Sequence, residues 1–382
     1  MSIVIVCHGG AYAVPNTIAD AAVAGVTRAA DTGMRMMISK LIAASGSTSA
    51  ASDTTSTVKS TASTEAVVAA LCVLEDDPAF DAGIGSCLTA EGKVEMDAVV
   101  AVSHRDKGVS TGAVACINNV RHPVLVAQHV MENTRHCLLV GSGATEYARR
   151  TQASASATDE ELTTETMRME LEELRSYGTV VDRVFNKPND AGAAGGNGRD
   201  GCDHDTVGAV AFDGATVSGA TSTGGISCKL PGRVGDSPCF GSGVFADFSA
   251  ADISQRGDDN TDDIIMAACS TTGHGESIIA ATLASRVVNG ISSDRGPAAA
   301  ASSALAYMKK RTHGGCGGAI VCDSLGRIGA VWTTPRMPWA VCRVTLAEVP
   351  RLLEAAAGDV GKIALDVKSG IEIESMKEAA QC

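Results

Sequence analysis

Apolar and polar positions divide this chain into short uninterrupted apolar runs, longer stretches with helical spacing, and polar tracts between them. Ile3–Cys7 is apolar throughout and reads as a strand buried on both faces, followed by the loop His8-Gly9-Gly10-Ala11. Apolar residues then recur at helical spacing from about Thr17 to Ala44, with Asn16 or Thr17 as the N-cap. Residues 45–63 are almost entirely Ser, Thr, Ala and Gly, a low-complexity insert with nothing to bury. Ser63-Thr64-Glu65 opens a second helix that runs to Leu74 and stops at Glu75-Asp76-Asp77-Pro78. Val94–Val102 and Thr111–Ile117 predict strands, Pro123–Met131 a helix, Cys137–Val140 a strand, and Asp159–Ser176 a charged helix with a solvated face. The tract from 177 to 205 reads as a flexible linker, richest in Gly, Asn and Asp over Asn186–Asp203.

At Thr206 the character changes. Thr206–Phe212 and Ala215–Thr221 are two apolar runs joined by Asp213-Gly214, a hairpin signal. Ile264–Cys269 predicts a strand, Glu276–Val288 and Pro297–Arg311 predict helices, and Ala319–Val321 with Ile328–Trp332 predicts a second hairpin. Strands and helices come in blocks without strict alternation. That favours an α+β fold of antiparallel sheets with helices layered outside.

Composition narrows the chemistry. The 382 residues are 45% hydrophobic but only 3% aromatic, so the core must be filled by Ala, Val, Ile and Leu. A net charge of −13 disfavours nucleic acid and anionic membrane surfaces as partners. The 13 cysteines are scattered with no CxxC pair, which implies free thiols in a reducing, cytoplasmic setting and gives no zinc signature. The N-terminal apolar run is too short and lacks the basic lead of a signal peptide, and no run reaches the length of a membrane span.

Asp205-Thr206-Val207-Gly208-Ala209-Val210 is the stretch most indicative of chemistry. A threonine hydroxyl needs a base, and a threonine at a chain's N-terminus carries one in its own α-amine. That amine titrates near about 7.7–8.0, so part of it is neutral at cellular pH. Cleavage of the Asp205–Thr206 bond would therefore activate the nucleophile in the same event. Thr206 Oγ would attack the Asp205 carbonyl, an N→O acyl shift would follow, and water would cut the ester.

An ordered set of segments extends this reading. It comprises His8-Gly9-Gly10-Ala11, Leu74-Glu75-Asp76-Asp77-Pro78, Asp81-Ala82-Gly83-Ile84-Gly85-Ser86, Val94-Glu95-Met96-Asp97-Ala98, and Thr206-Val207-Gly208-Ala209-Val210. It continues with Ala220-Thr221-Ser222-Thr223-Gly224-Gly225, Gly232-Arg233-Val234-Gly235-Asp236-Ser237-Pro238, Ser270-Thr271-Thr272-Gly273-His274-Gly275-Glu276 and Met337-Pro338-Trp339-Ala340. In this order the set resembles the plant-type asparaginase and isoaspartyl peptidase family of N-terminal-nucleophile hydrolases, over about residues 3–150 and 203–345.

The resemblance implies a four-layer αββα sandwich and self-cleavage into an α chain, 1–205, and a β chain, 206–382, which form one domain and pair as a homodimer. It implies hydrolysis of L-asparagine and β-aspartyl dipeptides to L-aspartate, with no catalytic cofactor or metal. By the same resemblance Thr206 is the nucleophile, Thr223 orients it, and Thr272 with the Gly273 N–H stabilises the oxyanion. Arg233 and Asp236 hold the substrate's α-carboxylate and α-ammonium, with Gly275 in the same pocket. The loop from Asp76 to Thr89 resembles a sodium-binding loop whose ligands are mainly backbone carbonyls.

Two positions depart from the family. Asp205 stands where Gly is usual, as in the glycosylasparaginases and the threonine aspartase endoprotease, which are the alternative readings. Thr89 stands where an Asn that reaches the nucleophile's amine is expected, so Thr89 is the candidate support for that amine. His8, His274 and His313 read as structural, and the glycines of Gly314–Gly318 read as close packing beside the site, since no Lys follows them as in a phosphate loop.

Overall fold

The structure, a computed structural model, describes residues 2–45, 61–176, 206–256 and 264–372. Asp205, the linker over 177–205 and nearly all of the low-complexity insert lie outside the described residues. Eleven α-helices are described, α1 Asn16–Ser45, α2 Ala62–Glu75, α3 Pro123–Asn133, α4 Gly141–Thr151, α5 Asp159–Leu162, α6 Glu165–Ser176, α7 Ala250–Arg256, α8 Gly275–Ala281, α9 Leu283–Asn289, α10 Pro297–Arg311 and α11 Val349–Ala355. The strands are β1 Ser2–His8, β2 Met96–His104, β3 Gly108–Ile117, β4 Leu138–Val140, β5 Val207–Phe212, β6 Thr216–Thr223, β7 Val244–Phe248, β8 Met266–Gly273, β9 Gly317–Asp323, β10 Ile328–Trp332, β11 Trp339–Thr345 and β12 Val367–Gly370.

They form two sheets, an eight-stranded one in the order β12-β11-β1-β5-β6-β2-β3-β4 and a four-stranded one in the order β10-β9-β8-β7. Every pairing is antiparallel except β3 with β4. The fold is a mixed α+β one.

Alternation along the strands sorts the core into layers. Ile3, Ile5 and Cys7 of β1, Ala98, Val100 and Val102 of β2, and Val207, Ala209 and Ala211 of β5 pack against α1, α2 and α3. Their neighbours Val4, Val6, Val99, Ala101, Val210 and Phe212 face Met266 and Ala268 of β8 and Ile320 and Cys322 of β9 across the two sheets. The outer face of the small sheet, with Ala267, Cys269, Ala319 and Val321, is covered by α8, α9 and α10. With both faces covered, β2, β5, β6, β8 and β9 are buried from end to end. That is why they read as continuous apolar runs and not as alternating ones.

Close packing replaces the missing aromatic bulk. Helix α1 buries the stripe Ala22, Gly25, Val26, Ala29, Ala30, Gly33, Met34, Met37 and Ile38. A Cβ on Gly33 would stand 2.3 Å from Ile5 Cδ1 and 2.8 Å from the Ala66 carbonyl, so small residues set how near α1 approaches β1 and α2. The hairpin between β5 and β6 is locked by Asp213, whose Oδ1 accepts the Ala215 and Thr216 N–H groups at 2.9 and 2.7 Å.

Several elements differ from expectation. The helix expected over Glu276–Val288 is broken into α8 and α9 at Thr282, which is held at φ 46°. The one expected over Asp159–Ser176 divides at Thr163 after a Thr158–Glu161 capping box. Strands β7, β11 and β12 and helices α4, α7 and α11 were not anticipated from the pattern. Ten described cysteines are free thiols, but Cys316 is disulfide-bonded, against the free-thiol reading.

The contact between β3 and α3 gives a test of this packing. A Cβ on Gly112 would lie 2.3 Å from the Ala127 carbonyl and 2.4 Å from the Met131 nitrogen, both backbone atoms that cannot rotate away. Gly112→Ala is therefore expected to destabilise the protein by about 1–3 kcal/mol, read as a lower denaturant midpoint at unchanged slope.

Candidate active site

Strand ends from both sheets converge at Thr206, the residue before β5. Thr206 is 5% exposed. The antiparallel register pairs Val207 with Ser222, and one more step sets Thr206 opposite Thr223 at the end of β6. On the other side of β5, Gly208 pairs with His8 of β1. The His8 ring lies 2.8 Å from Ser270 Oγ of β8 and hydrogen-bonds the Thr206 backbone, while its Nδ1 accepts the Gly10 N–H at 3.3 Å. Burial lowers the His8 pKa to about 3, so the ring is neutral, with Nδ1 as acceptor and Nε2–H as donor. It anchors the strand end and offers no base near neutral pH. A Cβ on Gly208 would meet Ser270 Oγ at 2.0 Å and His8 Nε2 at 2.3 Å, so only glycine admits this approach.

Thr272, the penultimate residue of β8, is fully buried, and its Oγ1 accepts the Ala11 N–H at 3.3 Å. Its hydroxyl hydrogen therefore points elsewhere. Gly273 has φ +128°, and a Cβ there would meet Gly317 Cα at 2.4 Å and the Cys316 carbonyl at 2.6 Å. The glycines after Gly314 are spacers, as expected: a Cβ on Gly315 would strike Ser277 Oγ at 2.4 Å, and one on Gly317 the Thr272 carbonyl at 2.4 Å. His274 caps α8, its Nδ1 2.7 Å from Ser277 Oγ, which fits a structural role.

Arg233, Asp236 and Gly275 come together beside this cluster. A Cβ on Gly275 would be 2.9 Å from Asp236 Oδ1 and 3.0 Å from Arg233 Nη2, so the absent side chain leaves the space between the two charges open. Arg233 lies 3.3 Å from where a Gly225 Cβ would stand, and the Gly225 N–H donates to Thr223 Oγ1 at 2.9 Å, which links the charged pair to the threonines. Arg233 also donates to Glu276 Oε1 through Nη2 at 2.9 Å and Nε at 3.2 Å. Burial alone would raise the Glu276 pKa, but the attraction and hydrogen bonding of Arg233 outweigh it and lower it overall. Asp236 is held the other way. Burial raises its pKa to about 7, and the charge of Arg233 offsets only part of that.

Two residues without an assigned role in the sequence prove to face this site. Asp81, in the loop after α2, accepts the Thr223 hydroxyl on Oδ2 at 3.3 Å and the Cys87 N–H on Oδ1 at 2.7 Å, while its carbonyl accepts the Gly224 N–H at 3.0 Å. Burial lifts its pKa to about 7 against the Cys87 N–H bond and the charge of Lys229. Lys229 is itself buried, with Nζ donating to the Glu95 carbonyl at 2.6 Å, and it acts electrostatically on Asp81 and Asp97. Asp81 was visible only as part of a motif. Nothing local announces a contact across 142 residues. Thr89, by contrast, accepts the Lys93 N–H at 3.1 Å and closes its own turn, and no hydrogen bond joins it to Thr206 among the described residues. The side chain from this loop that reaches the threonine pair is Asp81.

Comparison with known proteins decides the family. The family model described as asparaginase matches residues 1–266 and 259–350. The chain belongs to the asparaginase family. The isoaspartyl peptidase/L-asparaginase of Mus musculus is 35% identical over 346 residues, 90% of this chain and 89% of that protein. The protein of the same name from Homo sapiens is 38% identical over 282 residues, 73% and 79% of the two chains. The one from Danio rerio is 33% identical over 342 residues, 89% and 92%. Within the asparaginase family, this chain thus matches its relatives along most of their length.

Asp236 ionises as pH rises through about 7, and only its carboxylate can hold a cation. KM for a substrate with a free α-ammonium group is therefore expected to fall as pH is raised from about 6 to about 8, and Asp236→Asn should abolish that dependence while raising KM throughout. A KM independent of pH would remove Asp236 from the pocket.

Proposed function

We propose that this chain is a self-cleaving amidohydrolase that converts L-asparagine and β-aspartyl dipeptides to L-aspartate, with Thr206 as its N-terminal nucleophile. The observation that supports this reading is the buried pairing of Thr206 with Thr223 at the ends of β5 and β6, with Arg233 and Asp236 flanking the space at Gly275. The names of the relatives support the substrate class. The head-group pair favours small substrates over the endoprotease alternative, since a cation and an anion flanking the space at Gly275 suit a free amino-acid end, and the names of the relatives disfavour the glycosylasparaginase one.

The chemistry follows from the geometry. Cutting the Asp205–Thr206 bond frees the Thr206 amine. The substrate's α-carboxylate binds Arg233, whose fork is shared with Glu276, and its α-ammonium binds Asp236. The neutral amine takes the Thr206 hydroxyl proton as Oγ attacks the side-chain carbonyl. Thr223 accepts the Gly225 N–H and donates to Asp81, so it meets a neighbouring hydroxyl as an acceptor and orients it. The developing oxyanion receives the Thr272 hydroxyl hydrogen, which the Ala11 N–H leaves available, and the Gly273 N–H. The protonated amine passes its proton to the leaving ammonia or amino group. Water, deprotonated by the same amine, attacks the acyl ester, and aspartate leaves.

The same reading takes the helix-covered pair of sheets as the four-layer αββα sandwich, with 1–205 and 206–382 as its two chains, paired in a homodimer. Among the described residues no helix is long and apolar enough to cross a membrane, and the abundance of free thiols supports a cytoplasmic setting. The loop from Asp76 to Thr89 fits a sodium ion by donor type. At Gly85, φ +94°, a Cβ would stand 2.7 Å from the Phe80 carbonyl and 3.1 Å from the Pro78 carbonyl, so these oxygens border a cradle that only glycine leaves open. Pro78 and Phe80 would hold the ion, whose contribution is to fix the loop that carries Asp81.

Aspartate release from L-asparagine and from a β-aspartyl dipeptide tests the proposal. Both are expected to be cleaved, and an α-aspartyl dipeptide is not. Arg233→Ala should raise KM by about 100-fold or more, the loss of a charge-assisted contact, with a smaller effect on kcat. An unchanged KM, or cleavage confined to folded proteins, would overturn the assignment.

A further inference from the structure

Beyond the active site, one group of side chains combines metal-ligating atoms from two helices. Cys72 and Glu75 sit three residues apart on one face of α2, and His122 precedes the first turn of α3. One ligand atom from each, Cys72 Sγ, a Glu75 carboxylate oxygen and a His122 ring nitrogen, lies within 4.8 Å of the others. Glu75 is fully buried, His122 is 14% exposed at its side chain, and Cys72 is half-buried, so the cluster is open to solvent on one side.

We propose that Cys72, Glu75 and His122 form a binding site for a borderline-soft divalent cation, zinc in class, distinct from the carbonyl-lined loop that follows α2.

The donor arrangement carries the proposal. In tetrahedral zinc sites the ligand atoms stand roughly 3.3–3.7 Å apart, as bond lengths of about 2.0–2.3 Å require. His122 Nδ1 and Glu75 Oε2 are already 3.2 Å apart. The other oxygen, Oε1, is held by the Ser222 hydroxyl at 2.6 Å and the Val124 N–H at 3.1 Å, which fixes the carboxylate and leaves Oε2 to face the cluster. His122 Nε2 lies 3.5 Å from Asp76 Oδ1, and Arg121 holds Asp76 at 2.8 Å. That places a carboxylate on the far nitrogen of the imidazole, the outer contact that orients a ligating histidine. On binding, the Cys72 thiol proton and the proton between His122 Nδ1 and Glu75 Oε2 leave to solvent, His122 keeps its proton on Nε2 toward Asp76, and solvent water takes the fourth position. A thiolate and an imidazole in one set select zinc over sodium or magnesium. The sequence shows no such signature, because the third ligand lies 47 residues from Glu75. Through Ser222, the neighbour of Thr223, an ion here would also brace the strand that carries the active-site threonine.

The alternative is a metal-free Glu75–His122 ion pair, and cobalt separates the two. The full-length protein, treated with chelator and titrated with Co2+, is expected to bind one ion per chain with a thiolate-to-cobalt charge-transfer band that Zn2+ abolishes. Cys72→Ser should lose the band, and His122→Asn should keep it but weaken binding at least about tenfold. Failure to bind cobalt, binding without the band, or a band that survives Cys72→Ser would overturn the proposal. Should Cys72→Ser not fold, undiminished affinity in His122→Asn overturns it equally.

Discussion

The close approach of two sheets at the end of β5 is the constraint on which the rest of the structure depends. Thr206 lies in a seam where β1, β5, β6 and β8 meet, and the seam is narrow because glycine occupies the points of contact. Gly208 lets His8 and Ser270 close over the strand, and Gly273 and Gly317 let β8 and β9 touch backbone to backbone. A side chain at Gly208 would push His8 and Ser270 apart, and one at Gly273 or Gly317 would break the β8–β9 ladder. The strand ends that carry Thr206 and Thr272 would then be displaced. A core nearly free of aromatics suits this geometry, since it is small residues that allow layers to pack so closely.

The same narrowness governs the electrostatics. Asp81, Asp97 and Asp236 are buried, and burial raises all three pKa values. Lys229 and Arg233 are the cations that partly offset this. Asp81 and Asp236 are thereby brought to about 7, where a hydroxyl hydrogen on the one or a bound ammonium on the other would tip it toward the ionised form. Threonine with its own amine needs no histidine in such a place, and His8, which lies beside it among the described residues, is held neutral by its burial.

Much of this was legible in the sequence, for identifiable reasons. The β5–β6 hairpin is written in two apolar runs and an Asp-Gly turn, and Asp213 makes the bonds that such a turn requires. Helix α1 is written in its periodic stripe. What escaped was set by tertiary contact. Thr282 breaks a helix without glycine or proline, through a left-handed backbone that only its surroundings impose. Strand β12 is half-buried and polar, and exists because it pairs with β11. Asp81 reaches Thr223, and Thr89 turns instead to Lys93, a distinction that spacing within one loop could not make.

The central claim is that Thr206 becomes a chain terminus. Intact mass and N-terminal sequencing of the purified protein after prolonged incubation test it most directly. The account predicts two fragments, the second beginning at Thr206, and a single uncut chain when Thr206 is replaced by alanine. A wild-type chain of 38.8 kDa that never divides yet releases aspartate would contradict it, because Thr206 would then have no amine to act as its base.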